Sequence, residues 1–249
     1  MPEADTLLAA SGIGKRFGAL AVLSDVDFRV GAREAIGIVG PNGAGKTTLL
    51  NVLSGAIPAD AGRIRFRGED VSRLDAASRC RRGIARSHQV PRPFAGMTVF
   101  ENLLVGARSG AGEHGAIAYR RCLESLELCD MLPLANRRAE TLGLLDRKRL
   151  ELARALATDP VLLLLDEIGG GLTDAEAEQL VAIIRVIRGR DIAVVWIEHI
   201  VHVLVQVVGR LVCMDAGRVI ADGSPDAVLR DAAVIDAYLG SASHVHPVG

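Results

Sequence analysis

The chemistry of this chain begins at Gly40-Pro41-Asn42-Gly43-Ala44-Gly45-Lys46-Thr47, followed by Thr48. The spacing is G-x-x-x-x-G-K-[ST], that of a loop built to cradle polyphosphates. Glycines let successive backbone N–H groups turn inward around phosphate oxygens with no side chain in the way. A helix that follows adds orphan N–H donors and the positive end of its dipole. Lys46 places a cation on the outer phosphates. Thr47 offers a hydroxyl to Mg²⁺, which takes oxygen ligands and keeps water in its shell. A second group lies far downstream. Asp166-Glu167 closes the apolar run Val161-Leu162-Leu163-Leu164-Leu165. In an open parallel sheet the strand ends form the ligand crevice. Asp166 can hold Mg²⁺ there through water, and Glu167 can polarise an attacking water. Gln89 and His199 end two further strands, and the place of His199 gives it reach to the γ-phosphate. His202, one turn on, has no further ligand nearby for a metal.

These residues need a strand–loop–helix frame. Ala35-Ile36-Gly37-Ile38-Val39 reads as a buried strand, and Thr48-Leu49-Leu50-Asn51-Val52-Leu53 as the opening of a helix. Ahead of them, residues 7–10 and 19–30 read as strands of an antiparallel layer, the second with period-two alternation. Phe17 lies just before that hairpin, where it is either a base-stacking aromatic or an ordinary core residue. Residues 63–68 alternate as a half-exposed strand. Arg79, Arg81 and Arg82 read as a solvated helix face. Residues 84–89 form a short strand that Pro91-Arg92-Pro93 brings to a stop. From 97 to about 136 the pattern is helical, with Thr98 and Glu101 spaced as a capping box. Helices are expected over 145–158 and 174–188, a buried strand over 192–197, and two short strands near 211–214 and 218–221. Helices near 225–230 and 232–239 precede a polar end.

The chain has 249 residues and is 49% hydrophobic, enough for a large α/β domain with a helical insertion. The expected layout is a single domain over 5–240, a helical subdomain at roughly 90–158, and a disordered tail over 241–249. With 29 basic and 30 acidic residues the net charge is −1, which argues against an electrostatic nucleic-acid binder. Cys80, Cys122, Cys129 and Cys213 show no metal-like spacing and read as reduced packing thiols. The start, Met1-Pro2-Glu3-Ala4-Asp5, carries no signal-peptide pattern. No apolar run approaches the roughly 20 residues that span a bilayer. A soluble protein, or one held peripherally by a partner, is expected.

Over residues 7–240 the chain resembles the ATP-binding subunits of ABC transporters. Residues 40–47 match the family's Walker A loop and 162–167 its Walker B strand. The resemblance implies that Phe17 stacks on adenine, that Gln89 senses nucleotide and couples to the membrane subunit, and that His199 is the switch histidine. Gly170-Gly171-Leu172-Thr173 matches the D-loop. More narrowly, Met97-Thr98-Val99-Phe100-Glu101-Asn102-Leu103-Leu104-Val105-Gly106, Leu150-Glu151-Leu152-Ala153-Arg154-Ala155-Leu156 and Val234-Ile235-Asp236-Ala237-Tyr238-Leu239-Gly240 are similar to the branched-chain amino acid uptake branch. The implied fold is α/β: a P-loop NTPase core with an antiparallel β layer and an inserted helical subdomain. The implied cofactors are ATP and Mg²⁺, with Thr47, Gln89 and Asp166 toward the metal. The implied partners are integral membrane permease subunits, a second ABC ATPase and a separate solute-binding protein. The implied location is the cytoplasmic face of the membrane.

One departure stands out. The family signature Leu-Ser-Gly-Gly-Gln falls on Leu142-Gly143-Leu144-Leu145-Asp146. The serine hydroxyl is absent, both glycines are leucine and the glutamine is aspartate. Gly170 and Thr173 likewise replace the usual serine and aspartate of the D-loop. In the family this signature closes over the ATP of the opposite subunit. The expectation is therefore an asymmetric heterodimer, whose competent site uses Lys46 and Glu167 of this chain and an intact signature from its partner. A nucleotide-binding regulatory subunit with little hydrolysis, and a soluble non-transport ABC ATPase, are the alternatives.

Overall fold

The computed structural model describes residues 6–242. The chain divides into two compact units, one formed by residues up to 73 together with those from 196 onward, the other by Leu74–Val195. The first unit opens with β1 (Thr6–Phe17), β2 (Leu20–Gly31), β3 (Ala35–Val39), α1 (Lys46–Ser54), β4 (Ala61–Phe66) and β5 (Glu69–Asp70). The second unit holds α2 (Ala76–Cys80), β6 (Ile84–Arg86), α3 (Val99–Ser109), α4 (Gly115–Leu128), α5 (Leu144–Leu156), β7 (Leu162–Asp166), α6 (Asp174–Arg188) and the start of β8 (Ala193–Ile197). The chain then returns to the first unit with α7 (Val201–Leu204), β9 (Arg210–Asp215), β10 (Arg218–Gly223), α8 (Pro225–Leu229) and α9 (Ala232–Ala242).

In the first unit β1, β2, β4 and β5 form an antiparallel sheet in the order β2-β1-β4-β5. Leu8, Ala10, Ile13, Val26, Phe28, Val30, Ile64 and Phe66 turn inward and are buried. β1 runs well past the expected stop at residue 10. Its register against β2 shifts between Ala10 and Ile13, where Gly12 takes φ 62°, and again between Ile13 and Lys15, opposite which Asp25 takes φ 55°. Bulges of this kind bend and twist a strand where a sequence break suggests that it ends. β3 is buried along its whole length and pairs in parallel with β9, from Ile36 opposite Arg210 to Val39 opposite Cys213. β10 lies antiparallel to β9.

In the second unit β6 pairs in parallel with β7, and every residue of β7 is buried. Each of its leucines contributes roughly 1.5–3 kcal/mol by leaving water. Helices α3, α4 and α5 pack on one another. The buried Asn102 accepts from Phe94 N–H at 2.8 Å and donates to Phe94 C=O at 3.1 Å, which fixes how the chain enters α3. Thr98 and Glu101 form the expected capping box, and Thr173 with Glu176 forms a second one at α6.

Some expectations fail for physical reasons. Arg79 is buried, and its Nε donates to Leu74 C=O at 3.1 Å, so it ties α2 to the preceding loop and does not belong to a solvated face. Lys148 and Glu151 of α5 are also buried. β6 stops at Arg86, so Gln89 stands beyond its end on a bend. Phe17 ends β1 and is 53% exposed, which removes the core alternative. α9 continues to Ala242, and the rest of the expected tail, 243–249, lies outside the described residues.

Candidate functional site

The first unit carries the phosphate loop. β3 delivers the chain into Gly40, and α1 begins at Lys46 with Gly45 as its N-cap. No side-chain hydrogen bond caps this helix, and the first N–H groups of any α-helix lie outside its own hydrogen-bond ladder. Gly45 has φ 98°, and a Cβ there would stand 2.8 Å from Val22 C=O, so only glycine permits this turn. Lys46 is 5% exposed. Its ammonium donates to Gly40 C=O at 2.7 Å and to Pro41 C=O at 2.9 Å, folding the loop around the cation. Pro41 is half-buried, Asn42, Gly43 and Thr47 are exposed, Ala44 is buried and Thr48 is half-buried. Backbone donors, a helix N-terminus and a cation together fit a polyphosphate. In the same unit the Lys15 ammonium lies 5.6 Å from the Phe17 ring centroid and is anchored to Asp60 at 2.8 Å. His199 stands two residues past β8 and is exposed, and its N–H donates to Oε1 of the buried Glu198 at 3.0 Å. Sequence reading gave Glu198 no part; its place beside His199 was the available signal.

The second unit carries the carboxylates. Asp166 ends β7 with its side chain 2% exposed, and Arg86 at the end of β6 donates to its Oδ2 at 2.8 Å. A carboxylate buried this deeply needs such a partner to offset its loss of water. Arg86 also went unassigned in the sequence, though both residues end strands of one sheet. Glu167 takes φ 47°, an uncommon conformation for a residue with a side chain. Its Oε2 accepts a short hydrogen bond from Gln89 Nε2. The structure thus brings Gln89 and Glu167 together and leaves the carboxylate as an acceptor. Among the described residues no three His, Cys, Asp or Glu side chains gather as a metal cage.

The profile of the ABC transporter family matches residues 23–169, more than half of the chain. The chain belongs to the ABC transporter family. A second profile, described as branched-chain amino acid ATP-binding cassette transporter, matches residues 218–244. The high-affinity branched-chain amino acid transport ATP-binding protein BraF of Pseudomonas aeruginosa is 35% identical over 95% of this chain and 98% of its own length. The lipopolysaccharide export system ATP-binding protein LptB of Haemophilus influenzae is 33% identical over 94% and 98%. A crystal structure of an ABC transporter cassette in its ADP conformation is 30% identical with TM-score 0.85, covering 94% of this chain and 99% of that one. A nucleotide-free cassette gives 29% and 0.84, covering 94% and 98%. As an ABC ATP-binding subunit, the protein is an ATPase coupled to transmembrane solute transport, and it works with membrane permease subunits.

The segment aligned above with the family signature opens α5. Gly143 is its N-cap, with no side-chain hydrogen bond. Leu144 is 46% exposed, and a Cβ at Gly171 would stand 3.3 Å from its Cδ2. Leu144 and Gly171 therefore lie side by side within this chain. Thr173 N-caps α6, and its hydroxyl lies 2.9 Å from Glu176 Oε2 in the capping box.

Proposed function

We propose that this protein is the ATP-binding and ATP-hydrolysing subunit of an ABC importer for branched-chain amino acids or a similar small polar solute. It acts as one half of an asymmetric heterodimer, with permease subunits and a separate solute-binding protein. No helix among the described residues is long and apolar enough to cross a membrane, so the proposed place at the cytoplasmic face is reached through the permease. ATP with Mg²⁺ supplies the phosphoanhydride and the charge neutralisation of the reaction.

Each residue then has a task. Phe17 offers an exposed ring to the base. Residues 40–48 hold the phosphates with backbone N–H groups, Lys46 and the start of α1. Thr47, Gln89 and Asp166 would be the oxygen donors toward Mg²⁺. A single carboxylate among them suits an ion that keeps water. Glu167 accepts the proton of the attacking water, aimed by the Gln89 amide. His199 donates to the terminal phosphate.

The observation that carries the asymmetry is the start of α5. A serine N-cap would present a hydroxyl beside the helix N–H groups, and Gly143 presents none. Leu144 stands exposed at the first helical position, and Asp146 adds a negative charge in the first turn. A partner's γ-phosphate would meet bulk and like charge. Loss of one such donor costs on the order of 10²–10³ in rate. The test is ATP hydrolysis by the purified protein, alone and mixed with candidate partner cassettes. Little activity alone and strong activity in one mixture supports the reading. Robust hydrolysis by this chain alone overturns it, and weak hydrolysis in every mixture favours a regulatory subunit.

A further inference from the structure

Gly40 is the first residue of the phosphate loop, and three groups pin it. Its φ is 142°, and a Cβ would stand 2.0 Å from Met214 C=O on β9, so the backbone there is pressed against the neighbouring strand. Its carbonyl accepts from the Lys46 ammonium at 2.7 Å. Its N–H donates at 2.8 Å to the phenol oxygen of Tyr238, which lies 198 residues further along the chain on α9. Gly40 is buried, so this donor has no ready access to water. α9 packs against β10, which is paired to β9. The anchor therefore reaches the loop from the same strand layer that Gly40 presses on. Burial pushes the Tyr238 phenol up, and the bond from Gly40 N–H only partly offsets this, so the group stays protonated at neutral pH.

We propose that Tyr238 is a positioning residue of the nucleotide site, whose phenol oxygen fixes Gly40 and thereby the carbonyl on which Lys46 rests. The C-terminal segment is then part of the nucleotide-binding machinery. The inference rests on the reading of residues 40–48 as the phosphate cradle. Tyr238 itself touches no phosphate. Its effect is transmitted from the hydroxyl to the Gly40 peptide, and from there to the ammonium at the centre of the loop. Tyr238 is 40% exposed, and Tyr238→Phe keeps the ring while removing the hydrogen bond.

The experiment compares the full-length protein with Tyr238→Phe, Tyr238→Leu and Lys46→Ala. Three quantities are measured: amide hydrogen exchange in the 40–46 segment without nucleotide, the Kd for a non-hydrolysable ATP analogue, and the melting temperature. The expected result for Tyr238→Phe is faster exchange at Gly40 and an analogue Kd weaker by about 3- to 10-fold, from the loss of one hydrogen bond. Tyr238→Leu adds a fall in melting temperature. Exchange and affinity in Tyr238→Phe equal to the parent, with Lys46→Ala defective in binding, overturns the role of Tyr238 and leaves the cradle intact. Undiminished analogue binding by Lys46→Ala overturns the cradle reading itself, and this inference with it.

Discussion

Gly143 is the residue on which the proposed asymmetry turns, and it can be changed without strain. Its φ is −68°, and a Cβ there meets open space. Replacing a glycine N-cap by serine alters helix stability by only a few tenths of a kcal/mol. Gly143→Ser should therefore leave thermal melting nearly unchanged while raising ATP hydrolysis by this chain alone at least several-fold. Equal activity in the two proteins would remove the hydroxyl from the explanation. Arg86 makes the opposite kind of prediction. Its ion pair with Asp166 joins side chains 11% and 2% exposed. Arg86→Met removes the guanidinium from a buried carboxylate, and breaking a buried pair typically costs about 3–5 kcal/mol. Urea unfolding should register a loss of that order. A loss under about 1 kcal/mol would mean that water reaches Asp166.

The elements carry their own test in the capping boxes of α3 and α6. Hydrogen bonds from the backbone N–H and then the hydroxyl of Thr98 hold Glu101 below the ordinary carboxylate value of 4.5. Thr173 does the same for Glu176. A depressed carboxylate pKa in the folded state gives stability that is present above the unfolded value and lost as pH falls through the folded one. Acidification below about pH 4.5 should thus fray both helix starts. Thr173→Ala should cost about 1 kcal/mol at neutral pH and less once Glu176 is protonated. A destabilisation that persists unchanged into acid would place its origin elsewhere. The same elements show what the sequence carries locally. The Thr98–Glu101 spacing, the apolar run into Asp166 and the glycine pattern before Lys46 are short-range signals, and each produced the element expected of it. The burial of Arg79 and the full length of β1 depend on what packs against them, which no local pattern records.

At the scale of the whole molecule, the strand–loop–helix frame around residues 40–47 was legible because its signals sit in consecutive residues. Two anchors were invisible: Arg86 on Asp166, 80 residues apart, and Tyr238 on Gly40, 198 apart. Such contacts arise only when the chain has folded, and neither partner carries a sign of the other. The thiols supply a global check. All four cysteines are free, and Cys122, Cys129 and Cys213 are buried. Burial pushes Cys122 and Cys213 up to about 11 and Cys129 higher still. Since the thiolate is the reactive form, a thiol reagent at pH 8 should modify these three only as fast as the protein unfolds. Rapid modification of all three would contradict the packing.

The most direct measurement of the central claim is ATP hydrolysis by the reconstituted pair of cassettes, with Glu167→Gln in this chain set against the corresponding change in its partner. Removing a general base typically costs 10²–10⁴ in rate. The account predicts that Glu167→Gln collapses turnover by about that factor, whereas the partner's change leaves most of it. Full turnover with Glu167→Gln, and loss only with the partner's change, would place the competent site on the other subunit and contradict it.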